Sequence, residues 1–322
     1  MPYRQPDSYS LGSKGSVNGM AYEVEFSFQP ANELIVSLHT YLCKIWYKRI
    51  DLGPDWAPEI RTGLTDDFRQ ELDSTELSPE WRLIFLFAYL SPEKKDVPGF
   101  LRWLESLSLG DLYVLLSPYI QNFPADMQAV RDKFVHLLSE WNSQYFAKVE
   151  PGIVAALDED AEKNRALIGR MPAAELAEQT TSGMYFEPGG SLAKVVLTPQ
   201  FHFVPGNVFY SFGPVTLCQY PASLPGHDHE EGPSPKLYRM LRSLSEKSRL
   251  RILRFLRSEP HSFIEVVRYL GISKGITHEH LFSLRCAGLL KAHVTGETVT
   301  GYSLRTSAVG ELQELLLEYL ED

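Results

Sequence analysis

The chain has 322 residues and 44% hydrophobic side chains, an ordinary globular composition that excludes a wholly disordered protein. Its length suggests one to three domains, and no uninterrupted apolar run is long enough to span a bilayer, so we expect no membrane insertion. The first ten residues lack the apolar core of a signal peptide, and the three cysteines are sparse. Both features favour a cytoplasmic protein with reduced thiols.

Charge is distributed unevenly along the chain, whose formal net charge is −10. The segment from Ser234 to Arg305 contains 13 Lys and Arg residues against 5 Asp and Glu residues, a net charge of +8. The rest of the chain therefore holds 18 basic and 36 acidic side chains, a net charge of −18. A basic segment in an acidic protein is what a local phosphate-binding surface requires, although a solvated basic helix would have the same composition.

Residues 1–19 are rich in Ser, Gly and Pro and show no periodicity, so we expect a flexible tail. Residues 20–220 form the predicted N-terminal domain. Its first element is a half-buried strand at 21–28, where large apolar residues alternate with polar ones. Helical periodicity then dominates from residue 32 to about residue 183, and an acidic run at 158–162 is interpreted as a solvated helix face.

Short β-favouring runs separated by Pro and Gly replace the helical pattern after residue 183, which predicts a small antiparallel sheet. The runs are Met184–Glu187, Ala193–Leu197, Phe201–Val204, Val208–Phe212 and Val215–Tyr220. Residues 221–235 are a Pro- and Gly-rich linker, and residues 236–322 form a second predicted domain that ends in an amphipathic helix.

Catalytic motifs are absent from the sequence: it has no phosphate-binding loop, no dinucleotide fingerprint, no zinc-protease helix and no nucleophile elbow. We therefore expect no enzyme activity and no cofactor. The N-terminal domain is interpreted as a sensor or oligomerisation domain. All five Trp residues lie in it, and aromatic helices of this kind either line a ligand pocket or simply form the core.

A helix-turn-helix is indicated by the segment from Phe263 to Gly288. Ser273 is a good N-cap for its second helix, Gly288 suits the residue that ends it, and Gly271 lies in the short turn between the two helices. Thr277, Leu281 and Leu284 share one face of the second helix, which can pack on the first. A helix pair that only fills a core would show the same apolar spacing.

The flanking segments extend this motif. Helical stretches precede it, and two β-favouring runs around Gly-Glu and Thr-Gly follow it as a predicted hairpin. Helices, a helix-turn-helix and a hairpin together make a winged helix. The predicted fold class is thus α+β: a mainly helical N-terminal domain with a small antiparallel sheet, followed by a C-terminal winged helix.

At these residues the chain resembles the ArsR-type family of bacterial winged-helix regulators. The matching pieces are L-S-E-K-S-R-L-R-I-L at 244–253, L-G-I-S at 270–273, H-L at 280–281, L-R at 284–285 and A-G-L-L at 287–290. The resemblance implies a homodimeric DNA-binding transcriptional regulator that acts as a repressor. It further implies that the helix after Ser273 enters the major groove of double-stranded DNA and that the hairpin forms the wing.

Candidate DNA contacts follow from this interpretation, because residues in the first turns of a recognition helix reach base edges. Arg249 matches the family's arginine, and a structural hydrogen bond is an equally good explanation for it. The candidates are Arg249, Arg251, Ser273, Lys274, Gly275, Thr277, His278, Glu279, Arg285, Lys291 and Arg305.

Three residues depart from the family pattern on this face. Gly275, Glu279 and Phe282 stand where small hydroxyl, amide and basic residues are usual, and the carboxylate and the phenyl ring reduce the attraction to phosphate. An alternative is therefore a winged-helix interaction module that has lost DNA readout and binds protein instead.

Metal binding is the best-known trigger in this family, and it uses two nearby cysteines on the first helix of the helix-turn-helix. The corresponding segment here, Phe263 to Leu270, contains no cysteine. The nearest substitute is the linker cluster containing His227 and His229, which has no fixed geometry, so we expect no metal site. A small-molecule effector or a partner of the N-terminal domain would instead set DNA affinity. The terminal helices, around Leu237 and Leu312, are expected to form the dimer, unless they only pack within one chain.

Overall fold

The structure is a computed structural model and describes residues 22–149, 151–222 and 232–321. The predicted tail at 1–19 and the linker residues 223–231 lie outside the described residues. The first part contains β1 (Glu23–Phe26), α1 (Pro30–Leu42), α2 (Trp56–Gly63), α3 (Asp66–Ser74), α4 (Leu83–Leu90), α5 (Val97–Ser106), α6 (Leu109–Leu116), α7 (Met127–Gln144), α8 (Pro151–Arg165), α9 (Ala173–Thr180), β2 (Met184–Phe186), β3 (Lys194–Gln200), β4 (Val208–Phe212) and β5 (Val215–Pro221). The second part contains α10 (Pro235–Leu244), α11 (Lys247–Phe255), α12 (Phe263–Leu270), α13 (Lys274–Cys286), β6 (Leu290–Thr295), β7 (Thr298–Leu304) and α14 (Ser307–Glu321).

Helices α1, α4 and α7 form the centre of the N-terminal domain. Helix α4, with the sequence LIFLFAYL, is apolar on every side, and helix α1 is buried along almost its whole length. A helix that is apolar all round must lie inside the protein, and both pack into one large hydrophobic cluster with α7. No helix in the described ranges is both long and apolar enough to cross a membrane.

The sheet of the N-terminal domain is mixed, which corrects the predicted antiparallel sheet. Its strand order is β1-β3-β5-β4, in which β1 pairs parallel with β3 and β3 pairs parallel with β5. Only β4 runs antiparallel to its neighbour β5. Strands β3 and β5 are buried along almost their whole length, as is usual for parallel strands covered on two faces.

The predicted strand at 201–204 is a turn, because its backbone donors bond to a side chain instead of a neighbouring strand. The carboxylate of Glu33 is fully buried and accepts hydrogen bonds from the backbone N–H groups of Phe201 and His202 at 2.9 to 3.2 Å. The His202 ring also contacts this carboxylate. A buried carboxylate with these partners fixes the chain as it leaves β3.

The second part of the chain forms the winged helix that the sequence predicts. Helices α10–α14 enclose a separate hydrophobic cluster that includes Met240, Ile252, Val266 and Leu284. Strands β6 and β7 pair antiparallel as a hairpin, with a register shift at His293 and Val294. The architecture is thus the predicted one: a mainly helical N-terminal domain and a C-terminal winged helix.

Strand β2 lies in the sheet of the wing and not in the N-terminal sheet, giving a three-stranded order β2-β6-β7. The backbone before β2 lies very close to β6 at Gly183, where an added Cβ would lie 2.2 Å from the Leu290 carbonyl oxygen. The φ of +118° at Gly183 also favours glycine. Phe186 and Val294 share a hydrophobic cluster with β1, β3 and β5. The wing is therefore anchored in the core of the N-terminal domain.

Candidate nucleic-acid interface

The helix-turn-helix consists of α12 and α13, and the second helix begins at the predicted cap, Ser273. Ser262 and Glu265 form a reciprocal capping box at the start of α12, and Gly271 ends it with a φ of +70°. Ser273 then begins α13, where its Oγ accepts a hydrogen bond from the backbone N–H of Ile276. These caps fix both ends of the turn and so set the direction in which α13 leaves α12.

The inner face of α13 packs on the other helices of the winged helix. Thr277, Leu281 and Leu284 are all buried, as their spacing predicts. The hydroxyl of Thr277 donates to the Ser273 carbonyl at 3.0 Å, so it satisfies the helix backbone. The expected contact of Thr277 with DNA is therefore not compatible with its burial.

The first turns of α13 present an exposed surface on the opposite side. Lys274, Gly275, His278 and Glu279 are all exposed. Lys274 and His278 can donate to base acceptors or phosphates, and Glu279 can accept from cytosine N4. These positions are the ones that enter the major groove in helix-turn-helix proteins.

The second half of the same face is covered by a segment of the N-terminal domain. Arg49 Nη2 lies 2.8 Å from Glu279 Oε1, and the Arg49 guanidinium stacks over the Phe282 ring at 4.5 Å. The Trp46 ring contacts Phe282 with a centroid distance of 5.1 Å. Glu279 and Phe282, two of the three residues that depart from the family pattern, are thus contact points for this segment, a short turn that follows α1.

The tip of the wing is also held by the N-terminal domain. Arg82 Nη2 lies 2.8 Å from Glu297 Oε1, which also accepts a hydrogen bond from the Ser211 N–H at 2.8 Å. Ser211 Oγ donates to the Gly296 carbonyl at 3.0 Å. The recognition helix and the wing tip are the two parts of a winged helix that approach DNA. Both therefore contact the N-terminal domain of the same chain.

The remaining candidates fall into two groups. Arg251 is exposed on α11 and lies over the Tyr269 ring. Arg249 donates a hydrogen bond to the Arg242 carbonyl, which is the kind of structural contact that was the alternative to a phosphate contact for this residue. Arg285 is half-buried and faces the N-terminal domain.

Two candidates at the base of the wing pair with Glu178. Arg305 is buried between Glu178 and Glu311 at 2.7 Å from each, and Lys291 Nζ lies 3.1 Å from Glu178. The Arg305 guanidinium is buried with two carboxylates, so it is not accessible to DNA in this arrangement. Lys291 is only partly exposed and is engaged with the same carboxylate.

Metal ligands are not assembled at this site. Among the residues that the structure describes, no group of three or more His, Cys, Asp or Glu side chains could hold a metal ion. Cys286 is a free thiol at the end of α13, and burial raises its pKa above the ordinary value, so it stays protonated at neutral pH. His227 and His229 lie outside the described residues.

Three contact residues were missed by the sequence reasoning: Trp46, Arg49 and Arg82. They lie in the predicted helical domain, far along the chain from α13 and the wing, so no local pattern connects them to it. The sequence signal for this contact lies in α13, at Glu279 and Phe282, and not in the N-terminal domain. A carboxylate and a phenyl ring on a DNA-facing surface indicate that this surface has another partner.

Comparison with known proteins identifies the winged helix. Residues 246–292 match the family model of the bacterial regulatory protein, arsR family. The matched segment begins at the N-cap of α11 and ends within β6, so it contains the whole helix-turn-helix. No curated protein and no solved structure matched the chain. The C-terminal third thus contains a helix-turn-helix that is similar to those of the arsR family over residues 246–292, as the sequence predicts.

Proposed function

We propose that this chain, whose C-terminal unit is an ArsR-type winged helix, is a homodimeric transcriptional repressor whose DNA affinity is set by its N-terminal domain. The DNA-binding part is supported by the exposed first turns of α13, which begin at the Ser273 cap and carry Lys274 and His278. The concentration of basic charge between Ser234 and Arg305 gives the long-range attraction to phosphate.

Control by the N-terminal domain is supported by the contacts on Phe282 and Glu279. A B-DNA major groove is about 12 Å wide, and an α-helix with its side chains fills roughly 10–12 Å of it. The segment containing Trp46 and Arg49 lies against the flank of α13, so the groove has no room for helix and segment together. DNA binding therefore requires this segment to move away from α13.

Dimerisation is supported by apolar side chains left exposed on α10 and α14. Leu312 and Leu315 of α14 pack partly into the core of the winged helix, so intrachain packing covers only part of the apolar stripe. The exposed remainder is Tyr238, Leu241, Val309, Leu317, Tyr319 and Leu320. A two-fold dimer through these helices would present two copies of α13 to a pseudo-palindromic operator. Analytical ultracentrifugation should give twice the mass of the chain.

Fluorescence anisotropy with a labelled duplex from upstream of the protein's own coding sequence tests DNA binding. We expect affinity to fall steeply as the salt concentration rises, because several phosphates are neutralised. Arg49→Ala removes the ion pair and the cation–π contact on α13, a loss of about 1 kcal/mol that should raise DNA affinity three- to five-fold. Lys48→Ala is the matched control, because Lys48 is exposed on the same segment and carries the same charge.

Absence of salt-dependent binding for both the wild type and Arg49→Ala would contradict the proposed function. That result would favour the alternative, a winged helix whose recognition face serves protein contacts alone. The observation that favours this alternative is that Glu279 and Phe282 already contact protein, Arg49 and Trp46 of the same chain. Under it, Arg49→Ala and Lys48→Ala would have equal effects on DNA affinity.

A further inference from the structure

A cavity of about 180 Å³ lies where α13, the wing and the N-terminal domain meet. Phe282 and Leu281 of α13, Val299 of β7 and Phe209 of β4 supply its apolar walls. All three structural units contribute a wall, so a molecule inside would touch the recognition helix and the N-terminal domain together.

Two hydrogen-bond donors at this cavity lack a matching acceptor. Arg285 Nη1 has only the thioether of Met184 at 3.3 Å and the Asn207 Oδ1 at 3.4 Å as partners, a weak acceptor and a long contact. Among the described residues no carboxylate forms an ion pair with Arg285, although it is half-buried. Asn207 Nδ2 is buried and has no hydrogen-bond partner.

The buried amide donor of Asn207 is unfavourable without an acceptor, and an anion that accepts from it and from the half-buried Arg285 guanidinium would remove this cost. Their combined charge is +1, which matches a carboxylate better than a phosphate, and a guanidinium binds a carboxylate through two parallel hydrogen bonds. The remaining walls are mostly apolar and aromatic, with the His278 imidazole as a further polar group, so the rest of the molecule should be an apolar ring. An apolar cavity of about 150 Å³ is large enough to hold benzene.

We propose that this cavity binds a small aromatic monocarboxylate, with its carboxylate on Arg285 and Asn207 and its ring between Phe209 and Phe282. The inference deepens the proposed function, on which it rests, by naming the class of the effector. Because the ligand touches α13 and the N-terminal domain at once, it stabilises the contact that covers α13. It therefore weakens DNA binding, and DNA weakens ligand binding by the same factor.

Isothermal titration calorimetry of the full chain without DNA tests the site directly. The probes are benzoate, phenylacetate and salicylate, with benzamide as the uncharged analogue and acetate as the carboxylate without a ring. We expect at least one aromatic acid to bind, and the two control compounds to bind about ten-fold more weakly or not at all. A fragment that fits such a cavity should bind with a dissociation constant below about 10 mM. The inference would be overturned if no aromatic acid binds at concentrations up to about 10 mM.

Two variants connect binding to the named residues. Arg285→Met removes the guanidinium and should weaken benzoate binding about ten-fold or more, whereas Arg257→Met, an equal loss of charge at an exposed position, should not. Asn207→Asp gives Arg285 a counter-ion within the protein. This variant should lose benzoate binding while keeping or raising its melting temperature, so loss of binding cannot be attributed to unfolding. Unchanged benzoate affinity in both variants would place the ligand elsewhere and overturn the inference.

The DNA titration separates this inference from the proposed function. If an aromatic acid binds and lowers DNA affinity, both stand. If DNA binds but no aromatic acid does, the effector class is wrong and the regulator remains. If the acid binds and DNA affinity is unchanged, the ligand does not stabilise the covered state of α13, which overturns its proposed regulatory role.

Discussion

The contact between the winged helix and the N-terminal domain has two regions of different character, which we call the root and the rim. At the root, β2 pairs with β6, Phe186 and Val294 share a buried cluster, and Arg305 is buried with Glu178. The rim consists of exposed or partly exposed ion pairs, Arg49 with Glu279, Arg82 with Glu297 and Arg239 with Asp51, and of the ring contact between Trp46 and Phe282.

This difference shows which part of the contact can open. Separating the root would expose apolar surface and leave buried charges and strand edges unpaired, so it should stay closed whenever the protein is folded. Rim pairs exchange protein partners for water at little cost. Release of α13 therefore requires only the rim contacts to break. The winged helix would then rotate away from the N-terminal domain, with the root as the hinge. Although the linker at 221–235 separates the two predicted domains along the chain, β2 joins them in space.

The largest expected effect comes from breaking the root at Arg305. Arg305→Met removes the guanidinium between two carboxylates and leaves Glu178, which is 6% exposed, with Lys291 as its one remaining basic partner in the described chain. We expect the free energy of unfolding, measured by urea denaturation, to fall by about 3–5 kcal/mol. Lys291→Met is the control and should cost less than about 1 kcal/mol, because Lys291 is partly solvated. Equal losses for the two variants would mean that the buried Arg305 stabilises the root no more than the partly solvated Lys291 does.

A second effect arises behind the rim, at His39 of α1. Its ring is buried, and Nδ1 accepts a hydrogen bond from the Trp81 indole N–H at 3.1 Å, so the ring is neutral. It also contacts Phe203, on which Trp46 of the rim packs. Burial lowers the pKa of His39 from 6.5 to about 4.

Stability should therefore depend on pH in this window. Above pH 6.5 neither the folded nor the unfolded chain binds a proton at His39. Below pH 6.5 the unfolded chain binds one and the folded chain does not, so the free energy of unfolding falls by about 3 kcal/mol as the pH approaches 4. His39→Gln should flatten this part of the profile, whereas His136→Gln removes an exposed imidazole and serves as the control. An unchanged slope in His39→Gln would show that another group dominates.

Local signals explain why the helix-turn-helix could be predicted. The Ser273 cap and the turn at Gly271 each depend on neighbours within four residues, and the Ser262 cap of α12, which was not predicted, is equally local. The same holds for the inner face of α13, where Thr277 and Leu281 follow from helical spacing alone.

Long-range pairing explains what could not be predicted. Strand β1 pairs with β3 across about 170 residues of chain, and nothing near Val24 indicates Val195 as its partner. A partial signal existed, since Val195–Leu197 is continuously apolar, as in parallel strands, and does not alternate. Glu279 was likewise recognised as unusual for DNA, but its partner Arg49 lies 230 residues away and required the folded chain.

The smallest expected effect is the coupling between Arg49 and Glu279, and it tests the rim most directly. A double-mutant cycle with Arg49→Ala and Glu279→Gln should give a coupling free energy of about 0.2–1 kcal/mol in urea unfolding, because Glu279 is 57% exposed. The coupling should vanish at about 1 M salt, where the screening length is roughly 3 Å. A coupling that persists in high salt, or that exceeds about 2 kcal/mol, would make this pair resemble the buried root. The recognition helix would then be held permanently, and a hinged release could not explain how the protein reaches DNA.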